Sequence, residues 1–435
     1  MDKNSRVVII GAGLFGLSAA HQLASEGYRN ILVLDRHMPP APDASSNDIS
    51  RIVRFDYADE DYLDIAHEAY QKWRDNPKYK GIFYPTPYIL ACNQSAYGRA
   101  WVEKTTAALS KRNLPFQNLH DGDDARKRYP VLTGQLANPG FVGYTNHQAG
   151  WADATKGTTQ LRDECIQAGV SFISGRAGTV VGFEIDSTNK ITAVQTMAAS
   201  TLEGDLFILT AGAWVSSLVP MYGSALATAQ ALGYIRLTDD EMENFKDLPI
   251  YVNCATGFFN FPPHEETKML KVAVHGWGYT RSPENGDLYN TGKGQDLSMP
   301  PLPPRAQRAN FVPGEAEARL REGLREILPE LGDRSFDKLA LCWYTDTPTG
   351  DFIMDYHPDY KNLFVGGGCS GHAFKFMPVL PKYIGQAIHK TLPDQLSAKW
   401  RFRKEFQGKT DAFLGDGSRG GPLRRELTRH ESAKL

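Results

Sequence analysis

VVIIGAGLFGLSAAHQLASEGYRNILVLDR, residues 7–36, decides how the rest of the chain is read. Val7, Val8, Ile9 and Ile10 form an apolar run without alternation, the pattern of a parallel strand buried on both faces. Gly11-Ala12-Gly13-Leu14-Phe15-Gly16 follows at once, the apolar-periodic segment to Leu23 reads as a helix, and a second strand, 31–34, ends in Asp35 and Arg36. Gly11 permits a tight turn, Gly13 lets backbone amides approach a pyrophosphate at the helix N-terminus, and Gly16 allows close helix-to-strand packing. Asp35 is placed to accept hydrogen bonds from a ribose. The stretch therefore predicts a dinucleotide-binding unit in a doubly wound α/β sheet.

The chain has 435 residues, enough for two or three domains. A hydrophobic content of 41% with 23% charged residues is ordinary for a globular protein, and a net charge of -2 gives no reason to expect nucleic acid as a partner. No apolar run reaches the roughly 18 residues of a membrane span, so no membrane association and no secretory signal are expected. Cys92, Cys165, Cys254, Cys342 and Cys369 are scattered, which argues against a disulfide framework and against a structural metal. Ser432-Ala433-Lys434-Leu435 resembles the C-terminal SKL address, so the peroxisomal import receptor is an expected partner and the peroxisome the expected location.

Further along, 50–57 reads as extended and basic. From Asp59 onward Tyr62, Ile65, Ala66, Ala69, Tyr70 and Trp73 recur at helical spacing. A strand at 88–91 and a helix over 95–112 have a different texture and suggest an excursion into a second domain. A helix over 154–168, a strand at 170–173 and a hairpin or meander at 179–185 and 191–196 lead to a buried strand in 205–214, which runs into Ala211, Gly212 and Trp214. Small residues at the end of such a strand bring backbone close to a cofactor. The chain leaves again through strands at 232–237, 250–252, 257–261 and 270–275, the proline-rich loop SMPPLPPRAQ and a helix over 314–328. It closes with strands at 339–344 and 362–365, the glycine-rich turn 366–371 and a helix to about 392, with Pro378 suited to its first turn. The spacing predicts a discontinuous Rossmann-like domain from 1–81, 147–224 and 334–435, and a β-rich (α+β) domain from 82–146 and 225–333.

CWYTDTPTGDFIMDYHPDYKNLFVGGGCSGHAFKF and SRIVRFDY resemble the corresponding segments of the monomeric sarcosine oxidase family, which includes pipecolate and saccharopine oxidases and the fungal fructosyl-amino-acid oxidases (amadoriases). The resemblance covers nearly the whole chain. It implies FAD as cofactor, a secondary amino acid and O2 as reactants, hydrogen peroxide as product and a monomeric enzyme. Cys342 matches the cysteine bonded to the flavin in that family, where a thiolate adds to the electrophilic ring. Lys271 matches a lysine held over the flavin, whose ammonium would stabilise the negative charge that develops on oxygen. Arg51 matches an arginine against the flavin ring, while Arg54 and Lys375 match the pair that grips the substrate carboxylate. Ser50, Gly371, His372 and Phe374 are expected to border the cofactor, with Tyr57, His275 and Tyr344 around the substrate. The 366–371 turn is expected to aim a helix N-terminus at the flavin. Amadoriases usually carry glutamate where this chain has His275, which favours saccharopine, pipecolate or sarcosine over fructosyl amino acids. Arg419, in GDGSRGGP, resembles an amadoriase arginine displaced by one residue and is a further candidate for substrate binding. A nicotinamide-dependent dehydrogenase is the remoter alternative.

Overall fold

The computed structural model describes residues 2–283, 298–302, 309–409 and 417–435. Parts of SMPPLPPRAQ and of GDGSRGGP lie outside the described residues. The stretch that opened the reading forms the strand Val7–Ile10, the helix Leu14–Ser25 and the strand Ile31–Leu34. All eight strand residues are buried, each aliphatic side chain contributing about 1.5–3 kcal/mol relative to exposure. They sit at the middle of a six-stranded sheet in the order 353–356, 363–367, 206–209, 7–10, 31–34, 171–173. The pairings are parallel except at the edge formed by Ile353–Tyr356. The strands expected at 179–185 and 191–196 as a hairpin or meander are joined by Thr201–Glu203 in a separate three-stranded sheet.

A ten-stranded sheet makes the second layer. Its longest strand, Leu226–Arg236, pairs antiparallel with both Met269–Val274 and Lys338–Asp346. Lys338–Asp346, which carries Cys342 and Tyr344, thus belongs to this sheet and not to the parallel one with which its sequence block was grouped. Its local pattern cannot reveal a partner more than a hundred residues away. Met269–Val274 is flanked on its other side by Phe258–Asn260, so Lys271 lies on an interior strand and not on the solvated edge that a lysine ordinarily marks.

The helix Glu60–Asp75 begins at Asp59, whose carboxylate accepts from the Tyr62 amide at 3.1 Å, a cap worth about 1 kcal/mol. It buries Tyr62, Tyr70 and Trp73. Trp73 Nε1 donates to the Lys375 carbonyl at 2.7 Å, which ties the helix to the turn that carries Lys375. That turn departs from expectation. Phe374–Phe376 is a single 3-10 turn, and the helix proper, Leu380–Ile388, begins later with Pro381 in its first turn and ends before 392. Pro378 precedes the helix, and the 366–371 turn is followed by three residues of 3-10 geometry, too short to provide a helix dipole.

Candidate active site

The carboxyl ends of the parallel strands open into a cleft of about 1310 Å³. Gly11, Gly13, Leu14 and Phe15 border it from the first turn, Asp35 and Arg36 from the end of the second strand, and Ala211, Gly212 and Trp214 from the end of Leu206–Leu209. Gly11 has φ +102°, and a Cβ there would lie 2.4 Å from the Thr210 carbonyl oxygen. A Cβ on Gly16 would lie 1.9 Å from the Gly11 oxygen, so Gly16 serves helix packing and does not line the cleft. The helix Leu14–Ser25 has no side-chain cap at Gly13 and no acidic residue in its first turn, which leaves its positive end suited to phosphate. Asp35 accepts from the Ala12 amide at 2.6 Å and from the His37 amide at 3.2 Å; burial raises its pKa, partly offset by those bonds. Arg36 pairs with Asp43 at 2.9 Å and lies 4.2 Å over the Trp214 ring. Such a cleft fits a flavin dinucleotide.

A second cavity, of about 870 Å³, shares Arg51, Tyr344, Gly371 and Phe374 with the cleft. Cys342, Lys271, His275, Arg54, His372 and Lys375 line only this second cavity. The site therefore has two chambers with one common wall.

On the wall side, Lys271 is 1% exposed, its Nζ 2.9 Å from Asp48 and donating to the Ser50 carbonyl at 2.7 Å. Burial pushes its pKa down to about 7, with Arg51 adding to the fall and Asp48 opposing it. Arg51 pairs with the same Asp48 carboxylate, donates to the Ser45 carbonyl at 2.8 Å and lies 3.7 Å from Cys342 Sγ. Burial works against its charge, but Asp48 outweighs it and the pKa rises. The second oxygen of Asp48 accepts from Tyr234 Oη and from the Ile49 amide, both at 2.8 Å. Asp48 thus joins Lys271 to Arg51, a role that sequence reasoning missed. Its only signal was an acid three residues before Arg51. Ser46 was missed too: its hydroxyl accepts from the Leu14 amide at 3.0 Å. Ser50 is buried behind the wall and contributes its carbonyl, not a cleft surface.

His275 and Tyr344 face each other with ring centroids 6.0 Å apart, and His275 Nε2 is 3.2 Å from Ser418 Oγ. Burial, then the neighbouring Cys342, raises the Tyr344 pKa. Arg54 lies over the rings of Tyr57, Tyr88 and Trp101 at 5.0, 5.6 and 5.5 Å and donates to the Asp56 carbonyl. It makes no ion pair with any described residue. The Asp56 carboxylate is taken by Tyr144 and Asn146, and burial raises its pKa.

Lys375 donates to Tyr57 Oη at 2.9 Å and to the His372 carbonyl at 3.2 Å. His372 Nε2 is 2.9 Å from the Gly350 carbonyl, which can only accept, so Nε2 carries the proton of the neutral ring. Nδ1 then accepts from Tyr57 Oη at 2.9 Å. Tyr57 is a relay behind the cavity, orienting Lys375, and does not line it.

Arg419 does not line the cavity; Ser418 does. Arg419 forks onto Asp346, with Nη1 to Oδ2 at 2.6 Å, and is buried. The expected substrate contact is thus replaced by a clasp between the C-terminal segment and the Cys342 strand, because Asp346 lies on that strand two residues beyond Tyr344. Among the described residues no cluster able to hold a metal ion is found.

The sequence family described as FAD dependent oxidoreductase matches residues 6–387. The L-saccharopine oxidase of Schizosaccharomyces pombe is 30% identical over 412 residues, which cover 92% of this chain and 93% of that protein. The peroxisomal sarcosine oxidase of Homo sapiens is 26% identical, with 91% and 95% covered. The crystal structure of Amadoriase I from Aspergillus fumigatus, a fructosyl amine:oxygen oxidoreductase, superposes with a TM-score of 0.85 at 27% identity, covering 99% of this chain and 98% of that one.

Proposed function

The chain belongs to the FAD dependent oxidoreductase family, with amine and amino-acid oxidases as relatives, and within that family we propose an oxidase of N-substituted amino acids of the saccharopine, pipecolate or sarcosine kind. One observation carries this reading. Among the described residues, the cavity that shares a wall with the cofactor cleft is lined by Arg51, Arg54, Lys271 and Lys375 and by no aspartate or glutamate. Asp48 behind the wall offsets Lys271 and Arg51, which leaves Arg54 and Lys375 as the cations that favour an anionic substrate.

FAD, held in the cleft bordered by Gly11, Gly13, Asp35 and Arg36, would supply a hydride acceptor for the carbon beside the amine, which becomes an imine as the nitrogen loses its proton, and would return the two electrons to O2 as hydrogen peroxide. The residues of the chain supply the rest. Arg54 and Lys375 grip the substrate carboxylate and turn an encounter into an oriented one. The amine must be neutral to react, and His275, at the mouth between Tyr344 and Ser418, accepts its proton. Lys271 places an ammonium where oxygen gains charge, and Asp48 holds it there. Cys342, beside Arg51, is the proposed point of covalent attachment.

The fructosyl-amino-acid alternative rests on the likeness to Amadoriase I. A polyol brings hydroxyl hydrogens that need acceptors, and among the described lining residues neither His275 nor any other supplies a carboxylate for them. The nicotinamide reading gives way to the FAD family match. Peroxisomal import through Ala433-Lys434-Leu435 is also proposed, with a condition. Leu435 packs against the core and Lys434 lies 5.0 Å over the Phe311 ring, so the tail must undock before a receptor can read it.

The test is a substrate panel read by peroxide release. Saccharopine, pipecolate or sarcosine is expected to give a higher kcat/KM than fructosyl-glycine or fructosyl-valine, and the reverse order would reject the reading.

A further inference from the structure

Cys92 and Cys254 are far apart in the sequence and meet in the fold. The strand Tyr88–Cys92 runs parallel to Ile250–Asn253, with Tyr88 opposite Ile250 and Ala91 opposite Asn253, so the next places in the ladder belong to Cys92 and Cys254. The Cys254 amide continues that ladder by donating to the Ala91 carbonyl at 2.9 Å. Opposed residues of neighbouring strands stand about 4.8 Å apart, within the Cα separation of roughly 4.4–6.8 Å that a disulfide spans. Gly98, on the helix Ala96–Lys111, covers the pair. A Cβ there would lie 2.9 Å from Cys92 Cβ, 3.3 Å from Cys254 Sγ and 3.6 Å from Cys92 Sγ. The two sulfurs thus share one small space that the glycine keeps open, and both are free thiols.

Their surroundings give the two thiols different parts. The adjacent Cys254 thiol holds the Cys92 pKa below the usual thiol range despite burial, and Arg99 adds to the fall. The Cys254 pKa is raised, by Cys92 and then by burial, and its S–H donates to the Ala91 carbonyl at 3.2 Å. Leu90 and Val252, two residues earlier on the same two strands, line the substrate cavity. Strand alternation puts Leu90 and Cys92 in one core cluster, and Ile89 and Ala91 in another. The pair therefore lies behind the cavity wall, about 7 Å along the strands from its lining. Both cysteines are buried, which excludes bulky thiol reagents and leaves room only for a small oxidant. We propose that Cys92 and Cys254 form a reversible redox site, oxidised to a disulfide by the hydrogen peroxide formed in the adjoining cavity. This goes beyond the oxidase reading and takes only its oxidant from it. The Cys92 thiolate attacks one peroxide oxygen, the O–O bond breaks, and a sulfenic acid forms as the other oxygen leaves with the thiol's proton as water. The Cys254 sulfur then attacks the Cys92 sulfur: the S–S bond forms, the S–O bond breaks, and the oxygen leaves as water with the Cys254 proton. Two thiols lose two electrons and one peroxide becomes two waters.

The experiment exposes the holoenzyme to added hydrogen peroxide in one arm and to turnover of a secondary amino acid in the other, then unfolds it, blocks free thiols and maps peptides without reductant. Both arms are expected to lower the thiol titre by two and to join the Cys92 peptide to the Cys254 peptide, and dithiothreitol is expected to reverse both changes. Cys165, whose burial pushes its pKa up to about 12, is expected to stay reduced. In Cys254→Ala the Cys92 sulfenic acid has no second thiol to meet and is expected to be trapped by dimedone on unfolding, whereas Cys92→Ala should give no adduct at Cys254. A turnover arm that releases peroxide without joining the two peptides, or a sulfenic acid trapped on Cys254 and not on Cys92, would overturn the site. The wild-type map decides alone if either variant does not fold. The two arms separate this inference from the oxidase reading. A bridge formed by added peroxide in an enzyme that oxidises no secondary amino acid retires the functional reading and leaves the thiol pair standing as a peroxide-sensitive site. Peroxide release from a secondary amino acid with no bridge in either arm retires the redox site alone.

Discussion

The two ends of the substrate cavity handle their cations in opposite ways. At the wall shared with the cofactor cleft, Lys271 and Arg51 both reach one carboxylate, Asp48, which is itself held by Tyr234 and by its own chain. At the far end Arg54 rests among aromatic rings and a carbonyl, and the nearest acid, Asp56, is turned to Tyr144 and Asn146. The first end offsets part of its charge internally and so presents a fixed, prearranged field. The second leaves its charge to be neutralised by what binds. The difference separates machinery that must be ready before substrate arrives from machinery whose desolvation is compensated only in the complex.

The sharpest break in this comparison is all or none. In the wild type, flavin is expected to stay with the protein on acid precipitation, and in Cys342→Ala it is expected to appear entirely in the supernatant. Free flavin in the wild-type supernatant would remove Cys342 from the cofactor end.

The next effect is expected at about 10²–10³-fold, the cost of removing one preorganised electrostatic contact. Lys271→Met is expected to slow reoxidation by O2 to that degree while anaerobic reduction by substrate stays near the wild-type rate. The wild-type reoxidation rate carries a pH signature as well. With the Lys271 pKa pushed down to about 7, the ammonium is present below that pH and lost above it, so reoxidation should fall as pH rises through about 7. Stopped-flow measurement of both half-reactions checks this, and equal loss in the two would make Lys271 structural.

Stability provides the third test, because the two ends should respond differently to losing one member. Asp48→Asn leaves two cations without their carboxylate and is expected to cost about 3–5 kcal/mol in denaturant unfolding. Arg54→Met removes a cation that is ion-paired to no described acid, Asp56 being engaged by Tyr144 and Asn146, so its unfolding free energy should change by less than the Asp48→Asn loss while kcat/KM falls. Similar losses of stability in both variants would erase the distinction between the ends.

These differences mark where the sequence could be read and where it could not. The glycine turn, its flanking strands and Asp35 are contiguous in 7–36, and local periodicity was enough to place them. The capped helix from Asp59 and the strand at 88–91 were legible for the same reason. Lys271 was matched by resemblance, but its burial depends on strands pairing on both sides of it, which no local pattern encodes. Asp48 lay in plain view in SSNDISR without a role, since a short acid beside an arginine looks like a solvated pair until Lys271 arrives from far downstream. Arg419 was misjudged because its partner, Asp346, comes from a strand whose sheet membership was itself unseen. The late helix start at Leu380 reflects two prolines three residues apart, Pro378 and Pro381, of which only the second suits the first turn.

The smallest expected effect refines the selectivity. His275→Glu adds an acceptor for hydroxyl hydrogens at the mouth, and the ratio of fructosyl-valine to pipecolate turnover should rise about tenfold, the worth of one good hydrogen bond. Peroxide assays on the two substrates measure that ratio, and an unchanged ratio would remove His275 as a determinant.

The most direct test of the central claim is anaerobic single turnover of the wild-type enzyme, with the loss of oxidised flavin absorbance followed after mixing with saccharopine, pipecolate or fructosyl-valine. The account predicts that a secondary amino acid bleaches the flavin fastest. Faster bleaching by fructosyl-valine, or none by any secondary amino acid, would contradict it.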